Sequence, residues 1–256
     1  MASSKTLSPV ALVTGAADRI GATIARRLAS AGFAVVIHYR SSSDEARQLA
    51  DTILADGGKA ALVRTDLADR RARSGLIAAA AAPFGPLTLL INNASIFEPD
   101  SMADVGETLW DDHFAVHAEA PVFLSRDFAA QLPEGLQGNI INMIDERVLH
   151  LSPAYFSYTL SKATLWAATR TMAQSLAPRI RVNAIGPGPT LKNSHQTEVD
   201  FARSQARLPL KRGPDPEEIA AGIMFILASP SLTGQMLALD GGEHLEWPER
   251  NGPTPQ

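Results

Sequence analysis

The sequence predicts a doubly wound α/β fold, in which helices cover both faces of a parallel β-sheet. Seven short runs of Val, Ile, Leu and Ala recur along the chain. They are continuously apolar rather than alternating, as in strands that are buried on both faces. Segments of helical length separate them, which is the order expected of repeated β-α-β units. The predicted strands are 10–14, 34–39, 60–65, 87–92, 139–144, 180–185 and 236–239.

The segments between the strands predict six helices. Several of these segments open with Asp, Ser or Pro, residues that favour the first turn of a helix. The predicted helices are 20–31, 43–55, 69–82, 109–132, 154–176 and 216–228.

Two segments depart from this alternation. Residues 192–207 are polar and follow a strand, so they form either a mobile lid over a site at the strand ends or an ordinary surface loop with a short helix. Residues 247–256 are rich in Pro and polar side chains, which predicts a loose tail. The 256 residues otherwise suit one catalytic domain, spanning 1–256.

Composition excludes several classes of protein. The net charge is −4 and Lys and Arg are dispersed among Asp and Glu, so no basic stripe favours nucleic acid. The chain has no cysteine and no HExxH or P-loop motif, and no metal site is predicted. No apolar run approaches the roughly 20 residues of a membrane span, and residues 1–10 lack the apolar core of an export signal. We expect a cytoplasmic protein without a nucleic-acid or membrane partner.

A glycine turn follows the first strand and opens a helix at 14–21, Thr-Gly-Ala-Ala-Asp-Arg-Ile-Gly. Gly15 permits a tight turn, Gly21 permits close helix packing, and the free N–H groups of the helix start suit a dinucleotide diphosphate. A glycine turn can also serve packing alone. Its place in the first β-α-β unit favours the cofactor interpretation.

The second strand ends in His38, Tyr39, Arg40, Ser41 and Ser42. A protein selective for NAD usually places an Asp or Glu here, to accept hydrogen bonds from the ribose 2′-hydroxyl. That acid is absent. Arg40, together with Arg19, offers positive charge to a 2′-phosphate, so NADPH is the expected cofactor, unless these arginines are only solvated surface residues.

Polar groups also close the third and fourth strands, at Asp66-Leu67 and Asn92-Asn93-Ala94. In such a fold they lie near the adenine and the nicotinamide ribose. Asp66 is equally compatible with a helix N-cap, and the two asparagines with bonds to strand backbone. The expected cofactor contacts are Gly15, Arg19, Ile20, Gly21, His38, Tyr39, Arg40, Ser41, Asp66, Leu67, Asn92, Ala94, Lys162 and Gly188.

Tyr158 and Lys162 are four residues apart in a predicted helix, which places both side chains on one face. We expect the lysine to lower the pKa of the Tyr158 phenol toward neutrality, as suits a proton donor. A surface pair is the alternative. With the glycine turn and the Asn-Asn-Ala-Ser segment 92–95, this order resembles the short-chain dehydrogenase/reductase family over nearly the whole chain.

Finer details resemble the pteridine reductases and the bacterial dihydropteridine or dihydromonapterin reductases. Arg19 stands where the usual family turn has its middle glycine. The ends of three strands carry the same resemblance, at 38–41 (His-Tyr-Arg-Ser), 93–97 (Asn-Ala-Ser-Ile-Phe) and 142–145 (Asn-Met-Ile-Asp).

This resemblance implies roles for several residues. Most family members have a serine thirteen residues before the tyrosine, where this chain has Asp145. Asp145 and Tyr158 are then expected to protonate a ring nitrogen, although Asp145 is also suited to capping a loop. Phe97 would hold a pterin by stacking, or belong to the core. Ser95 and Arg19 would reach the cofactor phosphates or the pterin edge.

His117 stands where the family usually has an asparagine that supports a water relay to the lysine. It either passes protons itself or is a buried structural imidazole. The 186–188 segment, Gly-Pro-Gly, would wall the nicotinamide pocket.

The leading hypothesis is NADPH-dependent reduction of a dihydropterin-like ring, a small-molecule substrate. Its alternatives are reduction of a ketone in a sugar, steroid or acyl thioester, and a cofactor-binding regulator without turnover. Tyr158 and Lys162 argue against the regulator, while Asp145 and Phe97 argue against the ketone reductase. Members of the family are commonly tetramers built through two long helices, so a homotetramer is expected here through 109–132 and 154–176, unless the apolar residues of those helices belong to the core.

Overall fold

The computed structural model describes residues 8–245, in which seven parallel strands form one sheet in the order β3-β2-β1-β4-β5-β6-β7. The prediction of a doubly wound sheet is confirmed. The predicted tail at 247–256 lies outside the described residues. The strands are β1 (Val10–Val13), β2 (Ala34–Tyr39), β3 (Lys59–Arg64), β4 (Leu89–Asn92), β5 (Gly138–Met143), β6 (Ile180–Pro187) and β7 (Met236–Leu239).

Nine α-helices lie among the described residues. Short 3₁₀ turns at Glu146–Val148 and Glu243–Leu245 follow β5 and β7. The helices are α1 (Arg19–Ser30), α2 (Ser43–Ala55), α3 (Arg70–Arg73), α4 (Leu76–Ala81), α5 (Glu107–Phe114), α6 (Ala120–Gln131), α7 (Phe156–Leu176), α8 (Glu198–Arg207) and α9 (Pro216–Ala228).

Two of the predicted continuous helices are divided. The 69–82 segment forms α3 and α4, which Ser74 and Gly75 separate. The 109–132 segment contains a π-helical turn, Ala115–Glu119, between α5 and α6. Pro121 follows this turn and has no N–H to donate to the carbonyl four residues earlier, so a regular helix cannot pass through it.

The 192–207 segment contains the ten-residue helix α8. The sequence predicted a short helix within a surface loop as one of two alternatives for this segment. Thr197 and Asp200 form a capping box at its start, and none of its residues is buried. This agrees with the surface-loop alternative, and movement as a lid stays a prediction.

The core lies on both faces of the sheet. Ile24 and Leu28 of α1 and Ile223 of α9 pack on one face, while Leu124 and Phe128 of α6 pack on the other, and all five are fully or almost fully buried. Burial of each such side chain stabilises the folded state by roughly 1.5–3 kcal/mol relative to leaving it exposed. Within residues 8–245, no helix has the length and apolar character needed to cross a membrane.

The strand order reverses beside β1, which pairs with β2 on one side and β4 on the other. The connections that leave these strands therefore diverge to opposite faces, and this opens a crevice at the carboxyl edge of the sheet. The residues that the sequence singled out follow the strands at this edge.

Candidate active site

A single continuous cleft of about 490 Å³ lies at the carboxyl edge of the sheet. It begins at the glycine turn and the end of β2, and it reaches the residues after β4 and β5. Most of the predicted site residues line it: Gly15, Arg19, Ile20, Gly21, His38, Tyr39, Arg40, Ser41, Asp66, Leu67, Ala94, Ser95, Phe97, Asp145, Tyr158, Lys162 and Gly188.

The glycine turn has the geometry that its sequence predicts. Gly15 has a φ of +58°, and a Cβ atom there would lie 2.8 Å from the Cα of Ala94. A Cβ atom at Gly21 would collide with the carbonyl oxygen of Gly15. Both glycines are therefore required, the first by its left-handed backbone and the second by close packing of α1.

His38 holds this turn through hydrogen bonds from its side chain and its main chain. The Gly15 N–H donates to its Nδ1 at 3.0 Å, so the proton is on Nε2, which donates to the carbonyl of Thr65 at 3.0 Å. Its own carbonyl accepts from the N–H of Ala16 at 2.8 Å. Burial lowers the pKa of His38 to about 4, so the ring is neutral. The imidazole therefore supports the turn.

Arg19 and Arg40 are exposed at this end of the cleft. Arg19 keeps a left-handed backbone, with a φ of +52°, although it has a side chain where the family turn has glycine. Its Nη1 donates to the carbonyl of Lys192 at 3.1 Å, so it connects the turn to the segment after β6. Residues 38–42 contain no carboxylate that would repel a phosphate.

Asp66 and the two asparagines have local partners. Asp66 accepts from the Ala68 N–H at 2.9 Å, and the helix N-cap that was one alternative for it is Asp69 instead. Asn93 donates to the carbonyls of Thr14 and Gly15, both at 2.9 Å, so it stabilises the turn.

Asn92 points away from the cleft lining. Its amide is buried and donates to the side chain of Asn142 at 2.8 Å, and Asn142 in turn donates to Thr169. The sequence analysis considered a bond from Asn92 to strand backbone, but its partner is a side chain of the neighbouring strand. Its main chain is left to contact a cofactor.

The phenol of Tyr158 donates to Oδ2 of Asp145 at 2.8 Å. Burial raises the pKa of Tyr158 well above its usual range, and the Asp145 carboxylate raises it further. The expected fall of this pKa toward neutrality is therefore wrong for the arrangement seen here, because burial and the Asp145 carboxylate outweigh the opposing contribution of Arg147. Lys162 instead donates to the carbonyl of Met143 at 2.8 Å, and burial lowers its own pKa to about 8.

Both oxygens of Asp145 are used. Oδ2 accepts from Tyr158, while Oδ1 accepts from the N–H of Arg147 at 3.0 Å and thereby caps the 3₁₀ turn after β5. Asp145 therefore caps the turn and pairs with Tyr158 at the same time. The cap fixes the position of the carboxylate that the phenol contacts.

Comparison with known proteins gives the evolutionary setting of this site. A family model described as enoyl-(acyl carrier protein) reductase matches residues 15–244. The chain belongs to the short-chain dehydrogenase/reductase family. The crystal structure of FolM alternative dihydrofolate reductase 1 from Brucella canis, complexed with NADP, matches with a TM-score of 0.93 at 48% identity and covers 96% of this chain and 97% of that one.

Two further relatives cover nearly all of the chain. The FolM alternative dihydrofolate reductase 1 of Brucella suis, in complex with NADP, has a TM-score of 0.91 at 50% identity, over 94% of this chain and 96% of that one. Pteridine reductase 1 of Leishmania tarentolae is 32% identical over an alignment of 284 positions, which covers 93% of this chain and 97% of that protein.

His117 departs from the short-chain reductase pattern, and its contacts show what it does here. The Ile96 N–H donates to its Nε2 at 3.0 Å, so Nδ1 carries the proton, 2.8 Å from the Ser161 hydroxyl. Burial lowers the pKa of His117 well below its usual range. Both ring nitrogens are engaged and the ring stays neutral, which agrees with the structural alternative rather than with a proton relay.

Phe97 forms an aromatic wall with Tyr158 and with Tyr155, and the sequence analysis did not single out Tyr155. Its ring stacks on Tyr155 at 4.3 Å between centroids and meets Tyr158 edge-on at 4.8 Å. The guanidinium of Arg147 lies 5.1 Å from the Tyr155 ring. Phe97 is half-buried and lines the cleft, so it is not a core residue. The spacing of Tyr155 and Tyr158, three residues apart at a helix start, was the available signal.

Glu146 is another residue that sequence analysis missed. It lines the cleft beside Asp145, yet only 3% of its surface is exposed. Burial raises its pKa to about 8, with smaller contributions from the carboxylates of Glu243 and Asp145. The signal in the sequence was two adjacent acids at the end of an apolar strand, but burial of the second is visible only in the fold.

Proposed function

We propose that this protein is an NADPH-dependent reductase of pterin-type rings that converts a dihydropterin to a tetrahydropterin. The hydrogen bond between Tyr158 and Asp145 is the observation that carries the proposal. It joins a protonated phenol to a carboxylate where the ketone-reducing pattern of the family has a hydroxyl. The likeness to proteins named dihydrofolate and pteridine reductases supports it.

The cleft suits NADPH as the cofactor. Its glycine turn leaves no room for side chains at Gly15 and Gly21, and Arg19 and Arg40 place positive charge at its outer end. We assign Arg40 and Ser41 to the 2′-phosphate, the turn to the diphosphate, and Lys162 to the nicotinamide ribose. Two solved relatives contain NADP. When bound, NADPH supplies a hydride to one carbon of the substrate.

The residues of the chain supply the proton. Hydride addition to the carbon of a C=N bond leaves an electron pair on nitrogen, and the Tyr158 hydroxyl donates its proton to that atom. Since the pKa of Tyr158 is raised, the phenol is fully protonated at neutral pH and acts as an acid. Asp145 orients the hydroxyl. One hydride and one proton complete the two-electron reduction of the C=N bond.

Lys162 and Phe97 complete the site. The ammonium of Lys162, held by the Met143 carbonyl, lies 5.7 Å from the centre of the Tyr158 ring and supports the negative charge that remains after proton transfer. Phe97 offers an aromatic surface for a flat heterocycle.

The test is a panel of NADPH oxidation assays on the purified protein. The substrates are dihydromonapterin, dihydrobiopterin, dihydrofolate and an acetoacetyl thioester. We expect turnover of at least one dihydropterin with kcat/KM at least roughly tenfold above that of the thioester. Reduction of the thioester without reduction of any pterin or folate would establish the ketone reductase instead. No oxidation of NADPH with any of the four would overturn the pterin reductase and favour the regulator.

A further inference from the structure

A buried carboxyl group lies in the cleft beside the residues that deliver the proton. Glu146 begins the 3₁₀ turn that follows β5, directly after Asp145. It is 3% exposed, and its Oε2 is buried without a hydrogen-bond partner among residues 8–245. A buried polar atom left unpaired destabilises the fold, so a ligand that pairs with it recovers that free energy on binding.

The charges around Glu146 favour its protonated form. Asp145 precedes it, and Glu243 and Asp240 act on it from the segment after β7. Arg147 is the opposing cation, and its Nε also lies 3.7 Å from Oδ1 of Asp145.

Neutral or engaged groups complete the surroundings. His244 lies 2.6 Å from Oδ2 of Asp240 through its Nδ1. Tyr158 and Lys162 face the same cleft from α7, and they bond to Asp145 and to the Met143 carbonyl. Burial first, and then the carboxylates of Glu243, Asp145 and Asp240, raise the pKa of Glu146 to about 8 against the opposing charge of Arg147, so the carboxyl group keeps its proton at neutral pH.

A neutral carboxylic acid has one O–H donor and one carbonyl acceptor side by side. That pattern is complementary to a lactam, which presents an N–H donor beside a C=O acceptor, and the two groups form a closed pair of hydrogen bonds. The pterin ring contains such a lactam. Its carbonyl stands next to the ring nitrogen that takes up the proton. Glu146 directly follows Asp145 and lines the same cleft as Tyr158, so it is placed to meet that edge.

We propose that Glu146 binds the substrate as a neutral carboxylic acid, by pairing with the lactam edge of the pterin. This inference rests on the proposed function. It makes Glu146 a specificity-determining residue that holds the ring while Tyr158 delivers the proton, and it distinguishes pterins from flat rings that lack a lactam.

The kinetic experiment compares Glu146→Leu, Glu146→Gln and the wild-type protein, with Glu134→Gln as the matched control. Glu134 is exposed in the loop before β5, at the opposite edge of the sheet. Glu146→Leu should raise the KM for dihydropterin roughly tenfold or more, with a smaller change in kcat. Glu146→Gln keeps a donor beside an acceptor and should recover most of that loss.

The pH dependence provides a second readout. The KM of the wild-type protein should rise as the pH passes about 8, where Glu146 loses its proton. Lys162, whose pKa is also about 8, titrates in every variant. The test is therefore the part of the rise that Glu146→Gln loses and Glu134→Gln keeps. Calorimetry of biopterin binding to the NADP⁺-loaded protein, in buffers of different ionisation enthalpy, should show proton uptake near pH 8 in the wild type but not in Glu146→Gln.

The outcomes separate this inference from the proposed function. Failure of the wild-type protein to reduce any dihydropterin overturns the function itself. Where the wild type does reduce one, a KM for Glu146→Leu within about twofold of wild type overturns the role of Glu146. A collapse of kcat in Glu146→Gln with unchanged KM overturns it as well, because it would mean that Glu146 transfers the proton. NADPH binding by fluorescence verifies that each variant is folded.

Discussion

The imidazole Nε2 of His195 lies 2.9 Å from Oε2 of Glu98. Ninety-seven residues separate the two along the chain. Glu98 follows the aromatic wall at Phe97, and His195 lies among the residues that precede α8. Both of these loops line the cleft, so the pair joins its two sides, as does the bond from Arg19 to Lys192.

The first prediction concerns this pair. Both side chains are exposed, so the contact is worth about 0–1 kcal/mol. His195→Ala should raise the KM for substrate by at most about fivefold and speed proteolysis of the 192–197 segment. Arg203→Ala is the control, since its ion pair with Asp200 stays within α8. Equal proteolysis of both variants would show that the pair does not hold the loop.

The second prediction is that NADPH is preferred to NADH. Arg40 is exposed at the end of β2, where no acid repels a phosphate. A charge-assisted bond to phosphate is worth about 1.5–3 kcal/mol, so Arg40→Ala should lower kcat/KM for NADPH roughly tenfold or more and hardly change that for NADH. Arg71→Ala, in α3, is the exposed control. Equal kcat/KM for the two cofactors in the wild type would remove the argument.

The third prediction concerns assembly as a homotetramer through the long helices. Phe123 of α6 and Leu160 of α7 are 40% and 36% exposed, which leaves apolar surface on both. Leu165, by contrast, is 1% exposed and belongs to the core, as the alternative interpretation of these helices allowed. Light scattering should give four times the mass of the chain, and Leu160→Glu should lower it. A monomer at micromolar concentration would contradict the prediction.

The fourth prediction links Glu146 to stability. Its pKa rises on folding from 4.5 to about 8, so between these values the folded state binds more protons than the unfolded state. The free energy of unfolding therefore decreases as the pH rises through this window. Glu146→Gln should remove this loss, so its stability relative to wild type should increase between about pH 5 and about pH 9. Denaturant unfolding of both proteins at the two pH values tests this prediction. A difference in the free energy of unfolding that is the same at both pH values would contradict it.

How much of this site the sequence predicts depends on the range of the interactions involved. The glycine turn and the Tyr158–Lys162 spacing follow local rules, so Gly15, Gly21 and the helix face were predictable. The direction of the Tyr158 pKa shift was not, because the distance to Asp145 and the depth of burial decide it.

His38 and His117 show the same limit. Each uses both ring nitrogens on partners at least 21 residues away along the chain, which no local pattern reveals. The π-helical turn before Pro121 was accessible in principle, since a proline inside a helical pattern signals a break.

The last prediction is that Tyr158 and Asp145 act together in proton delivery. Tyr158→Phe removes the hydroxyl that donates at 2.8 Å to Asp145, and it should lower kcat by roughly 100-fold or more while NADPH binding stays nearly intact. Thr164→Val is the matched control, because it also removes a hydroxyl from α7, but on its exposed side and away from the cleft lining. A Tyr158→Phe variant with unchanged kcat would contradict the assignment.

Asp145→Ser distinguishes a chemical role for this carboxylate from a structural one. Asp145 caps the turn after β5 through the Arg147 N–H, and serine is also a good cap, so the fold should be kept. Loss of the carboxylate removes the acceptor that orients the phenol, and pterin reduction should fall while reduction of an acetoacetyl thioester is kept or improved. A structural aspartate would instead lower the melting temperature and both activities together. Full pterin turnover by a stable Asp145→Ser protein would show that the carboxylate takes no part in the chemistry.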